Sequence, residues 1–321
     1  MASATHGPFI AASQIAGNIL DWGKPISQHS PPTTASDSEE DEIRFVIADR
    51  HKHYEMIHSM MTQMFSFQEP ITRSVGATPE DVTDFFHDLC SASLNSPYSV
   101  LAFIGDKCVG MTLNYINTNV KSDESSPGLK FKSDFAEEIS NGPYNNLRAN
   151  RVCSFIEEVE RNYGYFIPKC KKLFKLDVIF VHPNFSGRGI GTKLTEKSIQ
   201  VARENNCDYL MSVASAKGSA HIFHKLGFTC VREVPFLSFH ENGQQVFQDL
   251  HDGNTSGKLM ILKLGSSLGF TCVREVPFLS FHENGHQVFQ DLHDGNTSGK
   301  LMILKLGSSV SSTNSSFENI A

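Results

Sequence analysis

Three glycines in five residues, Gly187, Gly189 and Gly191, follow a β-forming run from Val178 to Val181 and a Pro183-Asn184 turn. An amphipathic segment begins directly behind them. Strand, glycine-rich turn and helix start together aim several backbone N–H groups at one point, and the helix dipole adds positive potential there. A pyrophosphate is the natural occupant. Two familiar phosphate loops do not fit. The Walker loop closes on Gly-Lys-Ser/Thr, whereas Gly191-Thr192-Lys193 reverses the last two positions. The dinucleotide turn spaces its glycines Gly-x-Gly-x-x-Gly, and its acidic partner about 20 residues on ends a second strand. Here the spacing is Gly-x-Gly-x-Gly, and Asp208 meets the distance but begins its strand.

The elements that must position this turn are legible around it. Glu42 to Ala48 alternates and reads as a first strand. Residues 53 to 65 carry Met56, Ile57, Met60, Met61 and Met64 as one helical stripe. Thr78 followed three residues later by Asp81 caps a second helix, with Val82, Phe85, Phe86 and Leu89 on one face. Ser99 to Ile104, Gly105-Asp106, then Lys107 to Ile116 predicts a hairpin. Residues 147 to 161 read as helix, 176 to 182 as the strand before the glycines, and Thr192 to Asn205 as the helix after them. Leu194, Ile199, Val201 and Ala202 are that helix's candidates for burial. Tyr209 to Ala214 is a further strand, Ser219 to Lys225 a helix, and Phe228 onward a strand again. This order places the chain in the mixed α/β class.

Ser186-Gly187-Arg188-Gly189-Ile190-Gly191 resembles the (Gln/Arg)-x-x-Gly-x-(Gly/Ala) cradle of the GNAT acetyltransferases, departing from it at Ser186. Phe223-His224-Lys225-Leu226-Gly227-Phe228 is similar to the signature that commonly ends their last helix. Two further stretches resemble the invertebrate arylalkylamine (dopamine-type) N-acetyltransferases: Phe67-Gln-Glu-Pro-Ile-Thr-Arg-Ser-Val-Gly-Ala77 after the first helix, and Ser215-Ala-Lys-Gly-Ser219-Ala220 before the last. The likeness runs from Glu42 to Leu264. It implies a central twisted mixed sheet flanked by helices (an α+β mixed sheet), with acetyl-CoA as cosubstrate. The implied cofactor-binding residues are Ile179, Phe180 and Val181 on the strand and Ser186, Gly187, Arg188, Gly189, Ile190, Gly191 and Thr192 in the turn. The implied catalytic residues are Glu69, Ser215 and Ser219. An alkylamine is protonated at neutral pH and cannot attack a thioester until a base takes its proton, the role implied for Glu69. Ser219 would donate a hydrogen bond to the departing sulfur, with Ser215 orienting it. Phe223 stands where many members keep a tyrosine that protonates the thiolate, so another acid serves here or none. Glu69 also has a plainer reading, a loop carboxylate capping a backbone turn. Ser215 reads equally as an N-cap.

At 321 residues and 40% apolar, the chain can build a sizeable core as one large domain or two small ones. A net charge of -7 without a basic run argues against nucleic acid, and no apolar stretch is long enough for a membrane span. The opening residues lack a basic segment followed by an apolar one. Seven cysteines without CxxC spacing read as reduced, buried thiols, and a cytoplasmic enzyme is the expectation. His51, His53 and His58 gain no Cys or acidic partner, so no metal is expected. Residues 1–40 are polar, Pro-containing and acidic, and read as a flexible leader. Residues 120–146 read as a polar loop near the acceptor entrance.

Leu226 to Ser267 and Leu268 to Ser309 are the same 42 residues with one difference, Gln244 against His286. The organisation expected is a leader (1–40), an acetyltransferase domain (41–267), a tandem copy of 226–267 (268–309) and a disordered tail (310–321). A solenoid needs more units and atypical caps. Each copy holds two strand-like runs, Thr229 to Phe239 and Lys258 to Leu264 in the first, so the sheet gains a duplicated C-terminal β-hairpin segment. The two copies compete for one place beside the sheet. The first should dock, being continuous with the preceding helix; the second is an extra hairpin, a domain-swapping arm that makes a homodimer, or disordered. Three functions stay open: acetylation of a small arylalkylamine, acetylation of a polyamine or protein lysine, and a catalytically disabled CoA-binding or dimerisation module. An acidic groove of Asp81, Asp84 and Asp88 would favour polyamines.

Overall fold

The computed structural model describes residues 42–120, 131–264 and, in the second repeat, 270–277, 280, 282–283, 286–288 and 298–304. The leader 1–40 and the tail 310–321 lie outside the described residues. Strand β1 (Ile43–Ile47) pairs antiparallel with β2 (Val100–Ile104), which turns at Gly105 into β3 (Lys107–Asn117). Helix α1 (Arg50–Met60) is capped by Asp49, whose side chain accepts from Lys52 N, and continues through one wide turn (Met61–Phe65) into Ser66–Gln68. It therefore runs beyond both ends of the 53–65 stripe. The extra turn lets Glu69 restart the chain as helix α2 (Pro70–Ser74).

Helix α3 (Pro79–Leu94) has the expected capping box, with Thr78 and Asp81 each serving the other's backbone. The segment read as a polar loop over 120–146 contains α4 (Ala136–Ser140), because Phe135 and Ile139 find a core to enter. Then come α5 (Leu147–Glu160), β4 (Leu173–Val181), α6 (Ile190–Glu204), β5 (Tyr209–Ala214) and α7 (Lys217–Lys225). After them follow β6 (Thr229–Pro235), a two-residue hairpin of β7 (His240–Glu241) and β8 (Gln244–Gln245), and β9 (Ser256–Lys263). The run expected as strand to Phe239 ends at Pro235, where the chain turns through Phe236–Ser238.

The sheet order is β1-β2-β3-β4-β5-β9-β6, antiparallel throughout except for the parallel pair β4–β5. Alternation along β3 fixes the layers. Met111 and Leu113 enter the core shared with α1 and α3, while Thr112 on the other face meets Ser198 of α6 at 2.9 Å. Gly110 lets α6 lie close, since a Cβ there would meet Leu194 at 3.1 Å and Ile190 at 3.4 Å. A second core gathers Phe155 of α5 with Phe236, Phe239 and Phe247, ring centroids 5.0–5.3 Å from Phe155.

The register of β3 against β4 slips by one. Leu113 faces Val178 and Asn114 faces Leu176, leaving Asp177 as an extra residue on β4. A bulge of this kind reverses the side-chain alternation. Leu173 and Lys175 before it and Val178 and Phe180 after it consequently look to the same side of the sheet, and Ile179 and Val181 to the other.

The chain divides into two compact units at Lys263/Leu264. In the second, β10 (Phe270–Pro277) pairs with β13 (Ser298–Leu304), and β11 (His282–Glu283) with β12 (His286–Gln287). The β10–β13 register repeats that of β6–β9 residue for residue, including the bulge at Cys272/Arg274 matching Cys230/Arg232. In the first unit it is the first copy that docks, with β9 between β5 and β6. The described cysteines are free thiols. Cys90, Cys108 and Cys207 are buried as expected, whereas Cys153, Cys170 and Cys230 are only partly covered. Among the described residues no helix is long and apolar enough to cross a membrane.

Candidate active site

Strands β4 and β5 pair over three residues only, Leu173 to Lys175 against Tyr209 to Met211, and then part. Beyond the last pair, Ser212 Oγ donates to the Leu176 carbonyl at 2.6 Å, a side chain standing in where the backbone ladder has stopped. The strands diverge toward their carboxyl ends, where open α/β sheets form their crevices. A cleft of about 690 Å³ opens there, walled by Asp177 to Val181 on one side and Ser212, Val213, Ser215 and Ala216 on the other.

At one end of the cleft lies the glycine turn. Helix α6 begins two residues earlier than its periodicity suggests, at Ile190, because Gly189 takes a left-handed φ of 74° as its N-cap. The first helical bond runs from Lys193 N to the Gly189 carbonyl, so the N–H groups of Ile190, Gly191 and Thr192 project from the helix start. These three residues line the cleft, as do Ser186, Gly187 and Gly189. Gly187 also has a left-handed φ of 78°, and a Cβ at Gly187 or Gly189 would meet nothing within 4 Å, so both leave open space for a ligand. Gly191 serves packing instead, since a Cβ there would meet Ile222 at 3.0 Å. Ile179, Phe180 and Val181 belong to the β4 wall, while Arg188 sets its guanidinium over the Phe185 ring at 5.7 Å. The open turn and outward N–H groups suit a pyrophosphate.

At the other end, Glu69 is the N-cap of α2 and reaches the cleft from there. One oxygen accepts from Thr72 N (2.7 Å) and Thr72 Oγ1 (2.6 Å), the other from Ile71 N (3.3 Å) and Ser215 Oγ (2.7 Å). Glu69 therefore caps a turn, as its plainer reading has it, and it also stands in the cleft. Its setting is more polar than its flanking aromatics suggest. Phe65 and Pro70 line the cleft, but Phe67 is 51% exposed. Ser215 is not an N-cap. Helix α7 begins at Lys217 behind Ala216, leaving the Ser215 hydroxyl for Glu69, 146 residues away in sequence. Ser219 lines the cleft from the first turn of α7, its hydroxyl donating to the Ala216 carbonyl at 3.0 Å. Phe223 is buried in the cleft wall against Phe228.

Sequence reasoning did not find Thr72, Asp177 or Asn254. Asp177 is placed in the cleft wall by the bulge, beside Lys175, which pairs with Glu160 at 2.8 Å and Asp177 at 3.7 Å. Burial opposes the Lys175 charge, but the Asp177 and Glu160 carboxylates outweigh it and hold its pKa well above the ordinary value; burial pushes the Asp177 carboxyl up. An acidic groove of Asp81, Asp84 and Asp88 would favour polyamines, but these residues are not part of the cleft. Asp81 is engaged by Thr78, Asn146 and Arg148.

Comparison with known proteins agrees with this geometry. The model of the Acetyltransferase (GNAT) family matches residues 59–228, just over half of the 321. Among solved structures, arylalkylamine N-acetyltransferase 2 from Aedes aegypti is similar at 21% identity, with a TM-score of 0.57 over 70% of this chain and 100% of that one. The Drosophila melanogaster polyamine N-acetyltransferase, which forms N-acetylagmatine, is similar at 17% identity, with a TM-score of 0.54 over the same shares. At these identities the likeness is one of fold.

Proposed function

The chain belongs to the GNAT acetyltransferase family as an acyl-CoA-dependent N-acetyltransferase, and within that activity we propose that its acceptor is a small arylalkylamine of the dopamine, serotonin, tyramine or octopamine class. The observation that carries this reading is the Glu69–Ser215 contact inside a cleft whose lining also includes the partly exposed Phe65 and Phe185. An aromatic wall suits an aryl group, and a carboxylate at the wall suits the ammonium attached to it.

Acetyl-CoA supplies the activated thioester. The chain's own residues do the rest. The outward N–H groups of Ile190, Gly191 and Thr192, with the dipole of α6 behind them, are the proposed seat of the pyrophosphate. Ile179, Phe180 and Val181 flank it along β4. Glu69 takes the proton from the acceptor ammonium, directly or through one water, and Ser215 together with Thr72 keeps its carboxylate turned to the cleft. Ser219 exchanges its bond to the Ala216 carbonyl for one to the leaving sulfur. Phe223 has no proton to give. A cytoplasmic location belongs to the proposal, supported by the free thiols of the described cysteines.

One observation favours a polyamine instead: Asp177 is a second carboxylate in the cleft wall. Its pairing with Lys175 offsets that charge, and the absence of Asp81, Asp84 and Asp88 from the cleft lining weakens the reading further. The deciding assay follows CoA-thiol release with dopamine, tyramine, serotonin, spermidine and a lysine peptide side by side, for the wild type and Glu69→Gln. Turnover of the aromatic amines, falling about a hundredfold or more in Glu69→Gln, is expected. Preference for spermidine would move the acceptor to the polyamine class. Acetyl-CoA binding with no turnover of any amine would leave a disabled module, and an unimpaired Glu69→Gln would remove that residue as the base.

A further inference from the structure

The catalytic strand β5 ends at Ala214, opposite Lys258 at the start of the β9 ladder. The main chain of Ser215 and Lys217 just beyond it is held by side chains of the 42-residue repeat. Asn254 Nδ2 donates to the Ser215 carbonyl at 2.8 Å and to the Ser256 carbonyl at 2.9 Å, tying the open ends of β5 and β9 together. The Asn254 oxygen accepts from Thr255 N at 3.1 Å, and its backbone N–H goes to Asp252 Oδ1 at 3.0 Å. The other Asp252 oxygen accepts from Lys217 N, the first N–H of α7, at 2.8 Å. Between them Gly253 takes a left-handed φ of 64°, and a Cβ there would crowd Lys217 Nζ at 3.0 Å. Asn254 is buried.

We propose that the Asp252-Gly253-Asn254 turn is the positioning element of the acetyl-transfer site, and that Asn254 is a positioning residue that aims Ser215 at Glu69. The inference rests on Glu69 serving the acceptor amine. The geometry gives the turn two attachments on either side of Ala216, one to the carbonyl of Ser215 and one to the N–H of Lys217. Those attachments fix the path along which the Ser215 hydroxyl leaves the main chain toward Glu69. A polar atom displaced by about 1 Å at such a point costs on the order of a hundredfold in rate. The pyrophosphate cradle sits on α6, a different element.

The duplication supplies an internal control. Asp294, Gly295 and Asn296 repeat the sequence of this turn in the second copy. It is β9 of the first copy that pairs with β5, so the assignment applies to Asn254 and not to Asn296. The test compares Asn254→Asp, which keeps shape and removes the Nδ2 donors, with Asn296→Asp and with Glu69→Gln in the full-length chain. Steady-state kinetics are read with dopamine and acetyl-CoA beside thermal melting. The expected result is a kcat about ten- to a hundredfold lower in Asn254→Asp. The KM for acetyl-CoA stays within twofold of wild type, and Asn296→Asp behaves as wild type. Should Asn254→Asp not fold, Asp252→Asn takes its place, with a smaller loss of kcat expected. Wild-type kcat in Asn254→Asp, with Glu69→Gln impaired, overturns the positioning role while leaving the base intact. Equal losses in Asn254→Asp and Asn296→Asp, or a rise in acetyl-CoA KM matching the fall in kcat, also overturn it. An unimpaired Glu69→Gln would instead remove the reading on which the inference stands.

Discussion

Glu69 shows how one residue can cap a helix and face a cleft at once. Its carboxylate caps α2 through Ile71 N and Thr72 N while accepting the Ser215 hydroxyl in the cleft. A cap holds a side chain in one rotamer at little further entropic cost, which suits the base role proposed for it. The glycine turn works by the opposite means, through missing side chains. Gly189 combines a left-handed φ with open space beside it. Gly189→Glu would fill that space, strain the backbone and place a negative charge where the helix start favours an anion. Calorimetric titration should show acetyl-CoA affinity lost with the fold retained by circular dichroism; unchanged affinity would remove the turn as the pyrophosphate seat. The glycine spacing made this part of the site legible in the sequence. The partner of Ser215 was not, because an isolated serine carries no periodic signal of what it will bond.

At the level of elements, the capping box of α3 was readable because Thr78 and Asp81 act within one turn of chain. The backbone N–H of Thr78, helped by Arg148, Thr78's hydroxyl and Asn146, pulls the Asp81 carboxyl down to about 2 against the cost of its burial. Its folded pKa thus lies below the ordinary carboxylate value of about 3.9. The stabilisation is complete above that value and is lost as pH falls through about 2. Asp81→Asn should lower stability by about 1 kcal/mol at pH 7. Denaturant melts of both proteins should converge as the pH approaches 2, and a difference that persists there would mean the carboxylate's charge is not the cause. The bulge at Asp177 was not legible. It arises from the pairing of β3 with β4, and nothing in the local alternation of Leu173 to Val181 marks which residue will be left over.

For the whole molecule, the repeat is the main issue. Gly257 on β9 lets Phe155 pack on the sheet, since a Cβ there would lie 2.6 Å from its ring. Gly257→Ala should therefore cost about 1–3 kcal/mol of stability by overpacking. The same change at Gly299, its counterpart in the second copy, should leave the main melting transition unmoved. Equal shifts would show that both copies occupy the sheet. The sequence alone determined the mixed α/β class, the glycine turn at a helix start, most helices and strands, and the 42-residue repeat. Each rests on periodicity, a cap, a turn or an identity that short stretches of chain express by themselves. Tertiary structure decided the rest: the three-residue β4–β5 pairing that opens the cleft, the meeting of Glu69 with Ser215, the engagement of Asp81 away from the site, and the bracing of Ser215 by Asn254. These contacts join residues far apart in sequence, and such partners are chosen by sheet register and packing, which no local pattern encodes.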